Sequence, residues 1–148
     1  MSLDDWLANG LLVEHRTSPQ EIADLFAIVK RDLRECQTGT HSPEWQLGIA
    51  YNAVLQAARA ALAAGGYRVP QREGHHYYAL QSLAYTIELE TDTVRHLDAL
   101  RKKRNISDYV RAGAVSEREA KDAIALVEKV CADAKRWLES SHPELMSP

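Results

Sequence analysis

Residues 43–64 read PEWQLGIAYNAVLQAARAALAA, an uninterrupted run rich in alanine and leucine. Ser42 and Pro43 predict a helix start, because serine caps free backbone N–H groups and proline fits the first helical position. Gly65-Gly66 predicts the end, since glycine readily adopts the left-handed conformation that terminates helices. Within the run, apolar side chains recur at helical spacing: Ile49, Val54, Leu55, Ala58 and Leu62. The segment therefore predicts one long helix.

The composition of the whole chain predicts the same class of structure. Its 148 residues include 21 Ala and 17 Leu against 9 Val and 6 Ile, a balance that favours helix formers over strand formers. A chain of this length buries roughly 70% of the surface of its unfolded form, enough for one domain without disulfide or metal cross-links. We expect a single all-α domain.

Two capping boxes predict further helices on either side of the central run. Ser18 is followed three residues later by Glu21, and Ser116 by Glu119, so each pair can satisfy backbone N–H groups reciprocally. Apolar residues at three- and four-residue spacing follow both boxes. Similar spacing predicts helices at about 75–88 and about 92–110. The resulting prediction is an up-and-down antiparallel bundle of four to five helices, with its core at about 19–139.

The chain ends and the cysteines carry weaker information. Residues 1–17 predict a short helical turn around Trp6 followed by a loop, and residues 140–148 a frayed tail. Cys36 and Cys131 lie far apart and outside any C-x-x-C pattern, which favours reduced thiols, with a single disulfide as the open alternative.

The charge pattern restricts both location and ligands. No run without Asp, Glu, Lys or Arg exceeds 14 residues, whereas a membrane-spanning helix needs about 20 mainly apolar residues. The acidic start MSLDDWLANG does not resemble a secretory signal, so we expect a cytoplasmic protein without a membrane span. The net charge of −3 argues against a protein that binds nucleic acid through the charge of its whole surface. A local basic patch is still compatible with this net charge.

The segment 100–109, LRKKRNISDY, has the most informative chemistry. On a helical wheel, Arg104 and Asp108 share the face of Leu97, so one stripe changes from apolar to ionic. Arginine can grip phosphate, and amide or phenol groups can contact a base. The candidate ligand or partner contacts are Arg101, Arg104, Asn105, Asp108 and Tyr109. The alternative is structural: a solvated cationic face and an Arg104–Asp108 pair that joins helices.

Two segments together resemble the HEPN superfamily (higher eukaryotes and prokaryotes nucleotide-binding). They are residues 51–67, YNAVLQAARAALAAGGY, and residues 100–109, and Gly74-His75-His76 lies where many members have a histidine. The resemblance implies a four- to five-helix bundle, commonly a homodimer, with the arginine-bearing helices near a shared cleft. It also implies a role in toxin–antitoxin or defence operons, often beside a small nucleotidyltransferase, with RNA or a nucleotide as ligand.

The ribonuclease branch of that family has Arg followed, after four to six residues, by His. Counted from Arg104, the corresponding positions hold Tyr109, Val110 and Arg111, so no histidine has this spacing from Arg104. Proton transfer near neutral pH favours a group with a pKa near 7, which neither tyrosine nor arginine has. Arg104 remains the best catalytic candidate, and His96 and His76 are the candidates for a displaced acid–base group.

Other kinds of site have little support. No histidine spacing places two metal ligands on one helical face, and no glycine-rich phosphate loop occurs, so we expect neither metal nor cofactor. Four aromatic residues could form a stacking platform, although core or dimer contacts are the commoner role of such residues. They are Trp45, Trp137, Tyr77 and Tyr78.

Three hypotheses follow, in order of preference. The first is a HEPN-like protein that binds a nucleotide, RNA or a partner, with little or no catalytic activity. The second is a metal-independent ribonuclease toxin with a displaced acid–base residue. The third is a purely structural or interaction module.

Overall fold

The computed structural model describes residues 2–109 and 113–147; at 106–109 it describes the backbone helix only. The all-α prediction is confirmed, because helices make up nearly all the regular structure of these residues. The helices are α1 (Leu3–Ala8), α2 (Pro19–Cys36), α3 (Pro43–Ala64), α4 (His75–Gln81), α5 (Leu83–Thr86), α6 (Thr91–Tyr109) and α7 (Glu117–Ser141), with a 3-10 turn at Pro143–Leu145. Two short strands, β1 (Val13–Glu14) and β2 (Tyr67–Arg68), pair antiparallel.

Helix α3 is the centre of the bundle. It packs against α2 and α7 and also contacts α4, α5 and α6. Its alanines let neighbouring backbones approach closely, and its larger side chains, such as Val54, Leu55 and Leu62, are buried. The main core cluster combines α3 with apolar residues of α2, α4, α5, α6 and α7. Burial of apolar surface around one helix therefore holds the bundle together.

The predicted starts of three helices are confirmed by their caps. The hydroxyls of Ser18, Ser42 and Ser116 accept hydrogen bonds from the backbone N–H groups of Glu21, Trp45 and Glu119. Glu119 also accepts from the backbone of Ser116, which completes that capping box. The predicted box at Ser18 forms only in part, because the Glu21 carboxylate binds Thr17 and His15 instead. The predicted bounds 43–64 match α3.

The predicted helix at 75–88 is instead two short helices. The buried hydroxyl of Ser82 donates to the carbonyl of Ala79 at 2.6 Å, and Thr86 donates to the carbonyl of Ser82 at 3.2 Å. Such side-chain bonds compete with the helical ladder and bend the backbone. The segment then ends at Glu88, a non-glycine residue with φ of 55°.

The N-terminal segment is part of the fold. The helical turn around Trp6 is present as α1, but part of the predicted loop is strand β1, which pairs Val13 with Arg68. Trp6 and Leu12 are buried with Leu62 of α3 in a small separate cluster. Sequence periodicity missed this sheet because each strand has only two residues.

The C-terminal segment also differs from the predicted frayed tail. Helix α7 continues to Ser141, and Leu145 and Met146 pack against a cluster that includes Ile22 and Leu138. Removing these apolar side chains from water stabilises the ordered end.

The remaining observations concern the two cysteines and the search for a membrane-spanning helix. Cys36 and Cys131 are buried free thiols. Burial raises the pKa of Cys36 to about 11 and that of Cys131 to about 12. Within residues 2–109 and 113–147, no helix has the length and apolarity needed to cross a membrane.

The packed C-terminal turn makes a stability prediction. Leu145→Ala should lower the free energy of unfolding by about 1 kcal/mol, because half-buried apolar surface is lost. Urea denaturation measures it, with the exposed neighbour Glu144→Ala as the matched control. Equal stabilities of the two variants would contradict the packing of this turn.

Candidate functional site

The apolar face of α6 becomes ionic toward its C-terminal end. Leu97 and Leu100 are buried, and Arg101 and Arg104 follow on the same side as half-buried residues. The Arg101 guanidinium donates to the carboxylate of Asp98 at 2.8 Å, and Lys102 lies 3.5 Å from the other oxygen of that carboxylate. Sequence reasoning did not predict Asp98 as the partner of Arg101, although a spacing of three residues on a helix permits it.

Each arginine lies against an aromatic ring. The Cζ atom of Arg104 is 5.5 Å from the ring centre of Tyr51, and that of Arg101 is 5.5 Å from the ring centre of Tyr77. These distances are within the range of cation–π attraction. The rings thus help to orient two guanidinium groups between α3, α4 and α6.

Tyr51 lies at the centre of this arrangement. Its side chain is only 2% exposed, and its buried hydroxyl has no hydrogen-bond partner among the described residues. Burial raises the pKa of Tyr51 to about 12, despite the opposing effect of Arg104 and Arg101. The phenol therefore stays protonated at neutral pH.

His76 also lies beside Tyr51, with 5.8 Å between ring centres, and its ring centre is 4.2 Å from that of His75. Burial lowers the pKa of His76 to about 4, and His75, Arg104, Arg101 and Arg59 act in the same direction. The imidazole is neutral at pH 7. The three arginines act against protonation because they add positive charge near the ring.

We call these four residues, Tyr51, His76, Arg101 and Arg104, the Arg cluster. Of the other sequence candidates, Asn105 is half-buried on the following turn, whereas His96 is exposed on α6 and takes part in none of the described contacts of the cluster. The side chains of Asp108 and Tyr109, and all of Arg111, lie outside the described residues.

A chain of hydrogen bonds continues along α3 from the Arg cluster. The Asn52 amide donates to the buried carboxylate of Asp32 at 2.7 Å, and Gln56 donates to Asn52 at 3.1 Å. Arg59 then donates to Gln56 at 2.8 Å, and Arg31 contacts Asp32 at 2.9 Å. The sequence patterns did not predict this series of hydrogen bonds. Polar residues at 52, 56 and 59 of a mostly apolar helix were the available signal.

Two cavities lie beside this hydrogen-bond chain, and Asn52 lines both. One, of about 470 Å³, is lined mainly by α2 and α3 and by Arg104. The other, of about 410 Å³, is lined by apolar residues such as Leu25, Leu55 and Leu62 and, besides Asn52, by eight polar residues of several elements. They are His15, Glu21, Gln56, Arg59, Arg68, Gln71, His75 and His76.

The aromatic candidates occupy different environments. Trp45 is 68% exposed and lines the larger cavity. Trp137 packs against the core, and Tyr78 makes an edge contact with Trp6 at 5.6 Å. Tyr77 contacts Arg101. Only Trp45 among these four thus combines high exposure with a cavity of the described chain.

The site lacks the groupings that hold a metal. Among residues 2–109 and 113–147, no three His, Cys, Asp or Glu side chains are grouped closely enough to hold a metal ion. The available groups are guanidinium donors, the neutral imidazole of His76, amides and aromatic rings. This set suits an anionic ligand with a planar or hydrogen-bonding part.

Comparison with known proteins gives the family. The model of the HEPN domain matches residues 38–137, about two thirds of the chain. The chain belongs to the HEPN family. The matched region contains the whole Arg cluster and α3, whereas α1 and α2 lie before it. No curated protein and no solved structure matched the chain.

The environment of His76 in this HEPN domain predicts a pH effect. Its folded-state pKa of about 4 lies below the ordinary 6.5, so the unfolded chain binds more protons between these values. The free energy of unfolding should therefore fall as the pH drops from about 6.5 toward 4. Urea denaturation at pH 7 and pH 5 should show a smaller fall for His76→Gln than for wild type. An NMR titration of His76 with a midpoint near 6.5 would contradict the environment described.

Proposed function

We propose that this HEPN domain binds a phosphate-bearing ligand, a nucleotide or RNA, at the Arg cluster, with little or no catalytic activity. The observation that carries the proposal is the pair of guanidinium groups held against Tyr51 and Tyr77 beside a histidine with a strongly lowered pKa. In the proposal, Asn105, Asp108 and Tyr109 complete the ligand contacts.

Electrostatics supports an anionic ligand. The pKa of His76 is lowered by three arginines as well as by burial, so an anion bound nearby would relieve positive charge. Guanidinium groups held by ring contacts lose little freedom on binding and present donors that fit phosphate oxygens. Asp98 offsets part of the charge of Arg101. Arg104 is the principal candidate because its guanidinium lies against the Tyr51 ring and also lines a cavity.

The same groups support weak or absent catalysis. General acid–base chemistry at neutral pH works best with a pKa near 7. His76 has a pKa of about 4 and Tyr51 of about 12. Each pKa is far from 7, in the direction that keeps the side chain uncharged at neutral pH. Such groups suit ligand binding better than proton transfer.

The proposal extends to the assembly. Membership in the HEPN family supports a cytoplasmic homodimer within a toxin–antitoxin or defence system, with a small nucleotidyltransferase as partner. Affinity purification from the native host, with mass spectrometry of bound proteins and sequencing of bound RNA, tests this part. Recovery of neither from wild type or Arg104→Ala would count against it.

Nucleotide binding provides the direct test of the Arg cluster. Arg104→Ala should weaken binding of a fluorescent nucleoside triphosphate at least about tenfold, as expected for loss of a charge-assisted hydrogen bond. Arg104→Lys should lie between the two, because lysine keeps the charge but not the planar donor fork. Fluorescence anisotropy measures the affinity.

Arg95→Ala is the matched control, since it removes an exposed arginine from the same helix. It should bind as wild type does. If Arg104→Ala lowers thermal stability while nucleotide binding stays unchanged, the cluster is structural and the proposal is wrong.

A second candidate function is a metal-independent ribonuclease, favoured by the position of His76. The sequence lacks a histidine at the family spacing from Arg104, but His76 packs on the same tyrosine ring as Arg104 does. A phosphate bound there would raise the pKa of His76 toward the useful range.

Purified wild-type protein would then cleave RNA in the presence of EDTA. Both Arg104→Ala and His76→Gln should abolish cleavage, while His96→Gln, at an exposed position, should retain it. Gel analysis of a labelled RNA measures the loss. Activity that survives both changes in the cluster would rule out this active site.

A further inference from the structure

Helix α3 reaches solvent along a single stripe. From residue 47 to residue 63 every residue is buried except Gly48, Ile49, Asn52 and Arg59. At about 100° per residue, these positions and Trp45 lie on one side of the helix. We call Trp45, Gly48, Ile49, Asn52 and Arg59 the α3 stripe. The helix that forms the core thus reaches solvent on one side near each end of this stretch, with buried Gln56 between Asn52 and Arg59.

The two cavities open along this stripe. The larger contains Trp45, Gly48 and Ile49, and the smaller contains Arg59, while Asn52 lines both. The helical rise puts Trp45 and Arg59 roughly 21 Å apart along the axis of α3. A path of this length exceeds a mononucleotide and has room for several nucleotides of a single strand.

Each cavity contains two arginines that can contact the phosphates of a polyanion. Arg31 and Arg104 line the larger cavity, and Arg59 and Arg68 line the smaller. The carboxylates beside them already have partners within the protein. Asp32 is bound by Arg31 and Asn52, Glu44 accepts from the backbone of Gly113, and Glu21 accepts from Thr17 and lies 2.7 Å from His15.

Trp45 provides an exposed aromatic ring on which a nucleotide base can stack. It is the most exposed of the large apolar side chains of the described chain, and it shares its cavity with Arg104. Stacking of bases on aromatic rings tolerates any sequence and is typical of single-strand recognition. Phosphate contact at Arg104 and base contact at Trp45 are therefore compatible within one cavity.

We propose that the α3 stripe and its two cavities form a track for single-stranded nucleic acid, in which a base stacks on Trp45 and the phosphates follow the arginines toward Arg59 and Arg68. The inference rests on the proposed function and deepens it. It specifies a single strand as the ligand and names its path along α3 and a base-stacking residue.

Length-dependent binding tests the track. Fluorescein-labelled oligouridylates from one nucleotide to about eight are titrated with wild type and variants, using fluorescence anisotropy. The affinity of wild type should rise with length and then level off. Trp45→Leu should bind the longer strands about five- to 150-fold more weakly, whereas Trp45→Phe, which keeps an aromatic face, should lose less.

The far end of the track is tested separately. Arg68→Ala should weaken the binding of long strands and leave the binding of the mononucleotide unchanged. Arg118→Ala, which removes an exposed arginine of α7, is the charge-matched control. The same series with deoxyribo-oligonucleotides distinguishes RNA from DNA as the occupant. A rise of affinity with length in either series supports the track.

The outcomes separate the inference from the proposed function. If the mononucleotide binds through Arg104 but neither length nor Trp45→Leu changes the affinity, the track is wrong and the proposed function stands. If wild type binds no nucleotide of any length, both are overturned. Circular dichroism of each variant verifies that the fold is retained.

Discussion

The structure depends on the burial of α3 against its neighbours. Small alanine side chains let α2 and α7 approach it closely, while the larger apolar residues fill the spaces between them. Because the core surrounds one helix, a polar residue on α3 is favourable only where it reaches solvent or finds a partner. Asn52 and Gln56 meet this condition through the hydrogen-bond chain from Asp32 to Arg59. The core therefore determines where polar chemistry can occur.

The Arg cluster follows from the same constraint. Tyr51 is buried in the bundle, and its ring lies near both the guanidinium of Arg104 and the imidazole of His76. Burial and nearby arginines keep His76 neutral, so the local charge comes mainly from guanidinium groups. The packing of Tyr51 in the core thus holds Arg104 and His76 near each other. Charged guanidinium groups beside a neutral imidazole favour ligand binding over proton transfer.

Sequence reasoning predicted the parts of the fold that depend on local chemistry. The starts of α2, α3 and α7 followed from serine caps, and the end of α3 from two glycines. It did not predict the bend at Ser82, because whether a hydroxyl bonds to its own backbone depends on burial. Nor did it predict the β1–β2 pairing or the packed turn at Leu145, since both need contacts with distant residues.

For the site, the sequence by itself determined the family resemblance and the change from apolar to cationic residues along α6, because both are patterns of neighbouring residues on one helix. Tertiary structure alone decided which histidine lies near Arg104, since His76 and Arg104 belong to different helices that meet at Tyr51. It also decided that Trp45 is exposed and that Asp98 pairs with Arg101. Distances between side chains on separate helices are fixed by packing, which no local pattern contains.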